Sequence, residues 1–326
     1  MAEPDGKRQM KKFLVHKVVF LVTLVILLLS CLSAIGNVRI MSYNIKDFWL
    51  RFDGEPGSVT NEGARLDEDD FEKLEVVAGV INREKPDVIG ILECASLAEL
   101  LFFNERFLEG EYRCWSFRAY DSRTFGIPLG LMVKKDLEVN SVDLAESKSF
   151  SSRGIVIADI KRGDYEFALI FVHLKSKIER KLGESALKKD KQGNRLRKII
   201  KQKLEKDPSA NIVICGDFND APGRDDQEKA AKVEDLMGKM AKPITLGDGT
   251  RVAIHSGTLE HRDVDMNGEL WTEKSKGYAP ILFDYFFLSE GASNEFLELD
   301  HIYPEEFPNL LEASDHIPIV LDLGDE

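Results

Sequence analysis

Short apolar runs, rich in β-branched residues, recur along the chain, and several of them end abruptly in polar residues. The clearest run covers residues 212–215 of the segment IVICGDFND and passes directly into Gly216 and Asp217. A run this short, without alternation of apolar and polar positions, predicts a strand buried on both faces. Similar runs predict strands over residues 37–45, 87–94, 112–118, 129–134, 155–161, 165–174, 281–288 and 317–321.

Apolar residues at helical spacing lie between several of these runs. Residues 67–83 begin with acidic side chains and continue with an apolar face, which predicts a helix that packs one side inward. Comparable segments predict helices over residues 96–108, 184–206 and 225–240. Residues 47–65 and 243–277 are rich in glycine, and we expect irregular structure there.

The first 35 residues have a different pattern from the rest of the chain. Lys11 and Lys12 precede an apolar run over residues 18–29, and small residues follow, which is the order of a bacterial-type secretory signal. Residues 28–31, LLSC, also resemble a loose lipoprotein box, and an uncleaved helix over residues 13–35 is long enough to span a bilayer. A buried core helix is the alternative. We expect an exported protein, either secreted, lipidated or membrane-anchored, with one folded domain over residues 36–326.

Composition narrows the class of protein. The chain has 326 residues, 43% of them hydrophobic, which suffices for the core of one large domain or two small ones. The net charge of −13 argues against a generally basic nucleic-acid coat. Positive charge is nevertheless concentrated in residues 174–206, which contain thirteen Lys or Arg and four Asp or Glu. Three of the four cysteines lie outside the N-terminal segment, so they cannot all pair, and no C-x-x-C spacing occurs.

Polar side chains lie within or at the ends of six predicted strands. They are Asn44, Glu93, His173, Asp217 with Asn219, Asp284, and Asp315 with His316. One such residue is ordinary, but chance repetition on six strands is much less frequent. Carboxylate and amide oxygens without cysteine suit a hard cation such as Mg²⁺, Mn²⁺ or Ca²⁺. Two histidines beside carboxylates suit proton transfer and stabilisation of a charged phosphoryl group. The sequence has no serine-hydrolase elbow, P-loop or dinucleotide fingerprint.

These motifs resemble those of the endonuclease/exonuclease/phosphatase superfamily, the DNase I-like proteins. The matching segments, in the order of that superfamily over residues 38–323, are SYNI, ILE, VHLKS, GDFND, FDYFFLS and SDHIPI. The resemblance implies a four-layer α/β sandwich. In this fold two mixed sheets pack face to face, helices cover both outer sides, and the site lies at one edge of the strands.

The resemblance also implies a role for each motif residue. Glu93 is the main metal ligand, with Asn44 beside it and Asp315 near the metal. Asp217 orients or deprotonates the attacking water. Asn219 and His173 face the phosphate, as does His316, which Asp284 supports. The deoxyribonuclease branch pairs the first of these histidines with a glutamate, which residues 125–131 do not supply.

The leading hypothesis from the sequence is therefore a monomeric, Mg²⁺-dependent phosphodiesterase that acts on nucleic acid. The basic segment connects the strand ending in His173 with the strand ending in Asp217, so its cations are expected near the reactive phosphate. Its proposed substrate contacts are Lys175, Lys188, Lys189 and Lys191. Alternatively, these lysines form the solvated face of a helix or hold anionic lipid. A sphingomyelinase-like lipid head-group phosphodiesterase, an inositol-phosphate phosphatase and a non-catalytic binding module remain the alternative functions.

Overall fold

A computed structural model describes residues 37–46, 68–94, 96–117, 128–145, 154–176, 182–261 and 263–324. The strands of these ranges are β1 (Val38–Asn44), β2 (Val88–Leu92), β3 (Tyr112–Phe117), β4 (Leu129–Lys134), β5 (Glu138–Ala145), β6 (Ile155–Arg162), β7 (Tyr165–His173), β8 (Ile212–Asp217), β9 (Ile244–Thr245), β10 (Arg251–Val252), β11 (Ile254–Ser256), β12 (Asp284–Ser289), β13 (Phe296–His301) and β14 (Ile319–Leu323). The helices are α1 (Glu68–Glu84), α2 (Leu97–Phe107), α3 (Glu184–Leu204), α4 (Asp226–Ala231), α5 (Leu236–Met240), α6 (Gly257–Glu260), α7 (Glu290–Asn294) and α8 (Leu310–Ala313).

Twelve of the strands form two mixed sheets of six strands each. The first sheet has the order β13-β14-β1-β2-β4-β3, and the second has the order β11-β12-β8-β7-β6-β5. Each sheet has one parallel pair at its centre, β1 with β2 and β7 with β8, and its other pairs are antiparallel. Because parallel neighbours end at the same edge, the carboxyl ends of four central strands are available to build one site.

The sheets pack face to face and helices cover their outer sides, which confirms the predicted four-layer α/β sandwich. One apolar cluster lies between the sheets and includes Leu131 and Ile319 of the first sheet with Phe171 and Cys215 of the second. A second cluster joins the first sheet to α1, α2 and α8. A third joins the second sheet to α3 and α5. Strands such as β8 are therefore buried on both faces, as their unbroken apolar sequence predicts.

Two glycines permit the close approach of central strands. A Cβ on Gly90 of β2 would lie 2.3 Å from the Phe171 ring of the opposite sheet. Gly216 of β8 has a φ of +132°, and a Cβ there would lie 1.9 Å from the Val172 carbonyl oxygen of β7. Both positions exclude a side chain because the space belongs to a neighbouring strand.

Several sequence expectations require correction. The single helix predicted over residues 225–240 is two helices, because Lys232 adopts a left-handed φ of +57° and Asp235 caps a new helix. The region 243–277, expected to be irregular, contains β9, β10, β11 and α6. The strand expected over 281–288 begins only at Asp284, and the last strand begins only at Ile319.

Three strands that the sequence pattern did not predict, β5, β11 and β13, lie at sheet edges. The residues of β5 are all exposed or half-buried, and this strand has no apolar run.

The cysteines Cys94, Cys114 and Cys215 are free thiols. Within the described ranges, no helix is long and apolar enough to cross a membrane. The predicted signal or anchor over residues 1–35 lies outside the described residues, and the domain boundary at residue 36 remains a prediction.

Candidate active site

The predicted polar residues meet where the central strands end. Asn44 is the last residue of β1, and Glu93 follows β2 directly. His173 and Asp217 are the last residues of β7 and β8, and they are paired in the parallel register of those strands. The antiparallel strand β12 begins opposite Asp217, with Asp284 as its partner. Two parallel pairs and one antiparallel strand thus bring together residues that are up to 240 positions apart in the chain.

Asp217 lies at the centre of the site and is buried. Its Oδ2 accepts hydrogen bonds from Asn44 Nδ2 at 3.2 Å and from Asn219 Nδ2 at 2.9 Å. His173 Nε2 lies 3.3 Å from the same oxygen, while the backbone N–H of Asn219 donates to Oδ1 at 2.6 Å. This ring of donors favours the ionised carboxylate, because each hydrogen bond stabilises the charged form.

His316 and Asp284 form a buried pair beside Asp217. His316 Nδ1 lies 2.8 Å from Asp284 Oδ2, and His316 Nε2 lies 4.0 Å from Asp217 Oδ2. Burial by itself would lower the pKa of His316, but the charge and hydrogen bond of Asp284, with further charge from Asp217 and Asp315, raise it to about 10. His316 is therefore an imidazolium at neutral pH, with its Nε2 turned towards Asp217.

Asp284 is held in position by neighbours as well as by His316. Burial raises the pKa of Asp284, while the charge and hydrogen bond of His316 lower it and the charge of Asp217 raises it. The backbone N–H of Asp284 donates to Thr272 Oγ1 at 2.9 Å. Ser314 Oγ donates to the Asn44 carbonyl at 2.7 Å and accepts from His316 N at 3.1 Å, which connects β1 to the loop before β14.

Thr272 and Ser314 also position the site, a role that no pattern in the sequence predicted. Ser314 directly precedes the Asp315-His316 pair, so its place in the SDH motif could have indicated a role at the site. Thr272 lies within the region expected to be irregular, and the sequence there has no pattern that indicates contact with β12.

Glu93 and Asn44 fit a hard cation. Glu93 has a left-handed φ of +57°, which is uncommon for a residue with a side chain and is frequent at functional sites. Its carboxylate is partly exposed, and Oε1 lies 3.9 Å from His173 Nε2. Asn44 Oδ1 accepts one hydrogen bond, from Lys46 N at 3.1 Å, and so keeps a second lone pair. Oxygen donors of this kind are the ligands of Mg²⁺, Mn²⁺ and Ca²⁺.

His173 has two acidic neighbours that the sequence pattern did not predict. They are Asp217 at 3.3 Å and Glu93 at 3.9 Å from Nε2, rather than a glutamate of residues 125–131. Asp315, expected near the metal, has Oδ2 2.6 Å from Lys46 Nζ and 3.0 Å from Ser275 Oγ. Burial would raise the pKa of Asp315, but the hydrogen bond and charge of Lys46, with the charge of His316, hold it below its usual value.

A second acidic group lies nearby. Among the described residues, Asp220, Asp225 and Glu228 form the one group of three potential metal ligands whose donor atoms all lie within 4.8 Å of one another. Asp225 and Glu228, however, cap α4 through reciprocal hydrogen bonds with each other's backbone. Asp220 Oδ2 accepts from Lys189 Nζ at 2.6 Å. These contacts indicate a structural role for the group.

The proposed substrate lysines fall into different environments. Lys189 is 1% exposed, and its Nζ contacts Asp220 Oδ2 at 2.6 Å and the Asn219 carbonyl at 2.9 Å. It cannot bind a polyanion from solution, so this expectation was wrong: the side chain supports the loop after β8 from below. Lys191 is exposed, whereas Lys188 is half-buried and lies 3.2 Å from Glu184. Lys175 is half-buried and follows the end of β7 by two residues.

The architecture defines a four-layer α/β sandwich with a polar site of carboxylates, amides and histidines at one sheet edge. A model of the Endonuclease/Exonuclease/phosphatase family matches residues 55–247, more than half of the chain. The chain belongs to this family, which confirms the resemblance noted from the motifs. Enzymes of the family hydrolyse phosphoesters and generally use divalent metals. A comparison with curated protein sequences gives no match.

Solved structures share the fold. D. rerio TDP2 complexed with a single-strand DNA product is 16% identical, with a TM-score of 0.55 over 89% of this chain and 100% of that chain. The human nocturnin catalytic domain with bound sulfate is 14% identical, with a TM-score of 0.54 over 88% and 93%. A mannosyl-6-phosphatase of Bacteroides thetaiotaomicron is 14% identical, with a TM-score of 0.57 over 88% and 100%.

Proposed function

We propose that this protein is a metal-dependent phosphodiesterase that hydrolyses phosphodiester bonds of nucleic acid. The observation that carries the proposal is the convergence of Asp217, His173 and the His316–Asp284 pair at one strand edge, beside the oxygen donors Asn44 and Glu93. Such a site supplies an anionic acceptor for a water proton and a cationic donor, His316, for phosphoryl oxygens.

The residues divide the chemistry between them. Asp217 orients the attacking water and accepts its proton, and the surrounding donors hold its carboxylate in one position. His316 is already protonated, so its Nε2 donates to a phosphoryl oxygen as negative charge increases there. Asp284 accepts a hydrogen bond from Nδ1 and so fixes the direction of that ring. Bound by Glu93 and Asn44, a Mg²⁺ ion would neutralise charge on the phosphoryl group and help align it for in-line attack.

Charge supports nucleic acid as the substrate. Helix α3 leads from the region after His173 back to β8, and its exposed positions include Lys191 and Lys198. Exposed cations on a helix that contacts the loop after β8 can attract a polyanionic backbone. The structural likeness to TDP2 solved with a single-strand DNA product is compatible with this choice. A lipid head-group or sugar phosphate would need fewer such cations.

We also propose that residues 1–35 direct export or membrane attachment. Their basic, apolar and small-residue order supports this. Fractionation of cells that express the full chain tests it: the protein should be outside the cytoplasm or in the membrane fraction. Recovery of the intact chain from the cytoplasm alone would contradict it.

A substrate panel tests the proposed function. Full-length protein would be incubated with plasmid, single-stranded DNA, RNA, sphingomyelin and inositol phosphates, with Mg²⁺ or with chelator. Nucleic acid should be hydrolysed only with the metal, and Glu93→Gln should raise the metal concentration required. Turnover of sphingomyelin or inositol phosphates without cleavage of nucleic acid would support the lipid or phosphatase alternative. Undiminished activity in chelator would refute the metal assignment.

Salt dependence provides a second measurement for nucleic-acid binding. Affinity should fall steeply with salt, and Lys191→Glu should reduce the slope of log K against log salt by about one unit or more. A substitution of the buried Lys189 is unsuitable for this test because it would disturb the loop that carries Asn219. Duplex and single-strand affinities that do not depend on salt would contradict the electrostatic part of the proposal.

A further inference from the structure

A short hairpin at residues 273–281, here called the rim hairpin, is attached to the candidate site. Glu273 forms antiparallel bridges with both Ile281 and His316. The backbone N–H of Lys274 donates to the Asp315 carbonyl at 2.7 Å, and Ser275 Oγ donates to Asp315 Oδ2 at 3.0 Å. The base of the rim hairpin is thus fixed directly to Asp315 and His316.

The tip of the rim hairpin is a tight turn. Tyr278 N donates to the Ser275 carbonyl at 3.1 Å, and Gly277, the third residue of the turn, has a φ of +87°. A turn of this type needs glycine at that position and brings its first and fourth Cα atoms within about 7 Å. Tyr278 is therefore close in space to Ser275, whose Oγ donates to Asp315 Oδ2.

Tyr278 is the aromatic residue of this turn, and it is 77% exposed. Tyr285, which follows Asp284 in β12, is by contrast fully buried and donates to the Asp220 carbonyl. Lys276 and Gly277 beside Tyr278 are also exposed. An isolated exposed aromatic ring is common on proteins, but the backbone of this residue is anchored beside the candidate site through Ser275 and Asp315.

We propose that Tyr278 is a specificity-determining residue that stacks on an unpaired nucleobase next to the scissile phosphate, with Lys276 facing the neighbouring phosphate. This inference rests on the proposed function and narrows it to single-stranded or frayed nucleic acid. An aromatic ring can stack on any base, but a base inside a duplex has both faces covered by its neighbours. Lipid head-groups and sugar phosphates offer no aromatic face to the ring.

The test compares three variants of the full chain: Tyr278→Ala, Tyr278→Phe and Met266→Ala. Met266 is the matched control because it is 83% exposed in the same part of the chain, next to Asp265, which accepts from Trp271 rather than contacting Asp315. The substrates are a single-stranded oligonucleotide, an oligomer of equal length in which every position is abasic, and a small aryl phosphodiester that reports basal activity.

Tyr278→Ala should raise KM for the base-bearing oligonucleotide by about 5- to 100-fold, the range expected for loss of one stacked base. Its kcat, and its activity on the abasic oligomer and on the aryl phosphodiester, should stay within about twofold. Tyr278→Phe should restore KM because it keeps the ring, and Met266→Ala should resemble the wild type. Equal effects of Tyr278→Ala on base-bearing and abasic oligomers, or no effect on either, would overturn the inference.

A binding measurement separates this inference from the proposed function. In chelator, the fluorescence of single-stranded DNA that contains 2-aminopurine should be quenched by wild-type protein and by Tyr278→Phe, but much less by Tyr278→Ala. Quenching that requires the ring supports base stacking even if the wild type cleaves no oligonucleotide. Absence of quenching by the wild type would overturn the inference, whatever the protein hydrolyses.

Discussion

Asp217 and His316 have complementary charges in one buried site. The donors around Asp217 keep it anionic, whereas Asp284 keeps His316 cationic. The 4.0 Å separation of His316 Nε2 and Asp217 Oδ2 allows both groups to face a bound phosphoryl group and its attacking water. Each therefore has its largest effect on catalysis as charge develops in the transition state.

Asp217→Asn and His316→Ala should each lower kcat by about a thousandfold or more, because they remove the proton acceptor and the cationic donor. Hydrolysis of the preferred substrate from the panel and thermal unfolding would be measured together. His255→Ala is the control, since this half-buried histidine contacts Glu260 on α6 instead. Near-wild-type turnover by either site variant, at an unchanged melting temperature, would show that its assigned role is wrong.

His301 illustrates a buried histidine without a catalytic neighbour. It lies at the end of β13, and neither ring nitrogen has a hydrogen-bond partner among the described residues. Burial lowers its pKa to about 3, so the ring stays neutral in the folded protein. In the unfolded chain the pKa is about 6.5, so the unfolded state binds a proton that the folded state does not between these two values.

Stability should therefore fall as the pH drops below about 6.5, and His301 accounts for about 1.4 kcal/mol of that loss at pH 5.5. Replacement by phenylalanine, His301→Phe, should remove this contribution because the variant takes up no proton in either state. Urea unfolding of both proteins at pH 7.5 and pH 5.5 measures the difference. An identical loss of stability in the variant would mean that His301 does not titrate on unfolding.

Helix α3 combines two classes of lysine that look alike in the sequence. Lys189 points inward and neutralises Asp220 beneath the loop that carries Asn219. Lys191 is two residues away and exposed, because a rotation of about 200° along a helix separates them. The net positive charge counted along residues 174–206 therefore overstates the charge that a bound substrate would contact.

Lys189→Met should lower the free energy of unfolding by about 3–5 kcal/mol, since it leaves a buried carboxylate without its ammonium neighbour. Lys191→Met should change it by about 0.5 kcal/mol or less, as is usual for an exposed position. Chemical denaturation of the two variants beside the wild type provides the comparison. Equal, small effects would indicate that Lys189 is accessible to solvent after all.

The molecule as a whole derives its stability from three apolar clusters between Val38 and Leu323. Strand β1 of the first sheet begins at Val38, soon after the predicted targeting segment of residues 1–35. The long apolar run over residues 18–29 lies before all of these elements. These facts favour a domain that folds without the N-terminal segment.

A chain spanning residues 36–326 should be soluble, and its melting temperature should lie within a few degrees of that of the full-length protein. Size-exclusion chromatography and thermal unfolding of both chains provide the measurement; we also expect the shorter chain to elute as a monomer. Aggregation of the shorter chain, with the full-length protein well behaved in buffer, would indicate that the apolar run belongs to the core.

Much of the fold could be predicted from local patterns. Unbroken apolar runs predicted the central strands, and helical spacing predicted α1, α2 and α3 within one or two residues at each end. The motifs around Asn44, Glu93, His173, Asp217, Asp284 and His316 predicted the family and which residues gather at one edge. These features depend on neighbouring residues along the chain, so a single sequence contains them.

Other features depend on contacts between distant segments. The edge strand β5 has no apolar run, because an edge strand buries too little surface to require one. The inward orientation of Lys189, the acidic neighbours of His173 and the attachment of the rim hairpin to His316 all require knowledge of which segments pack together. Spacing along a chain determines which face of an element a residue occupies, whereas packing between elements determines what that face meets.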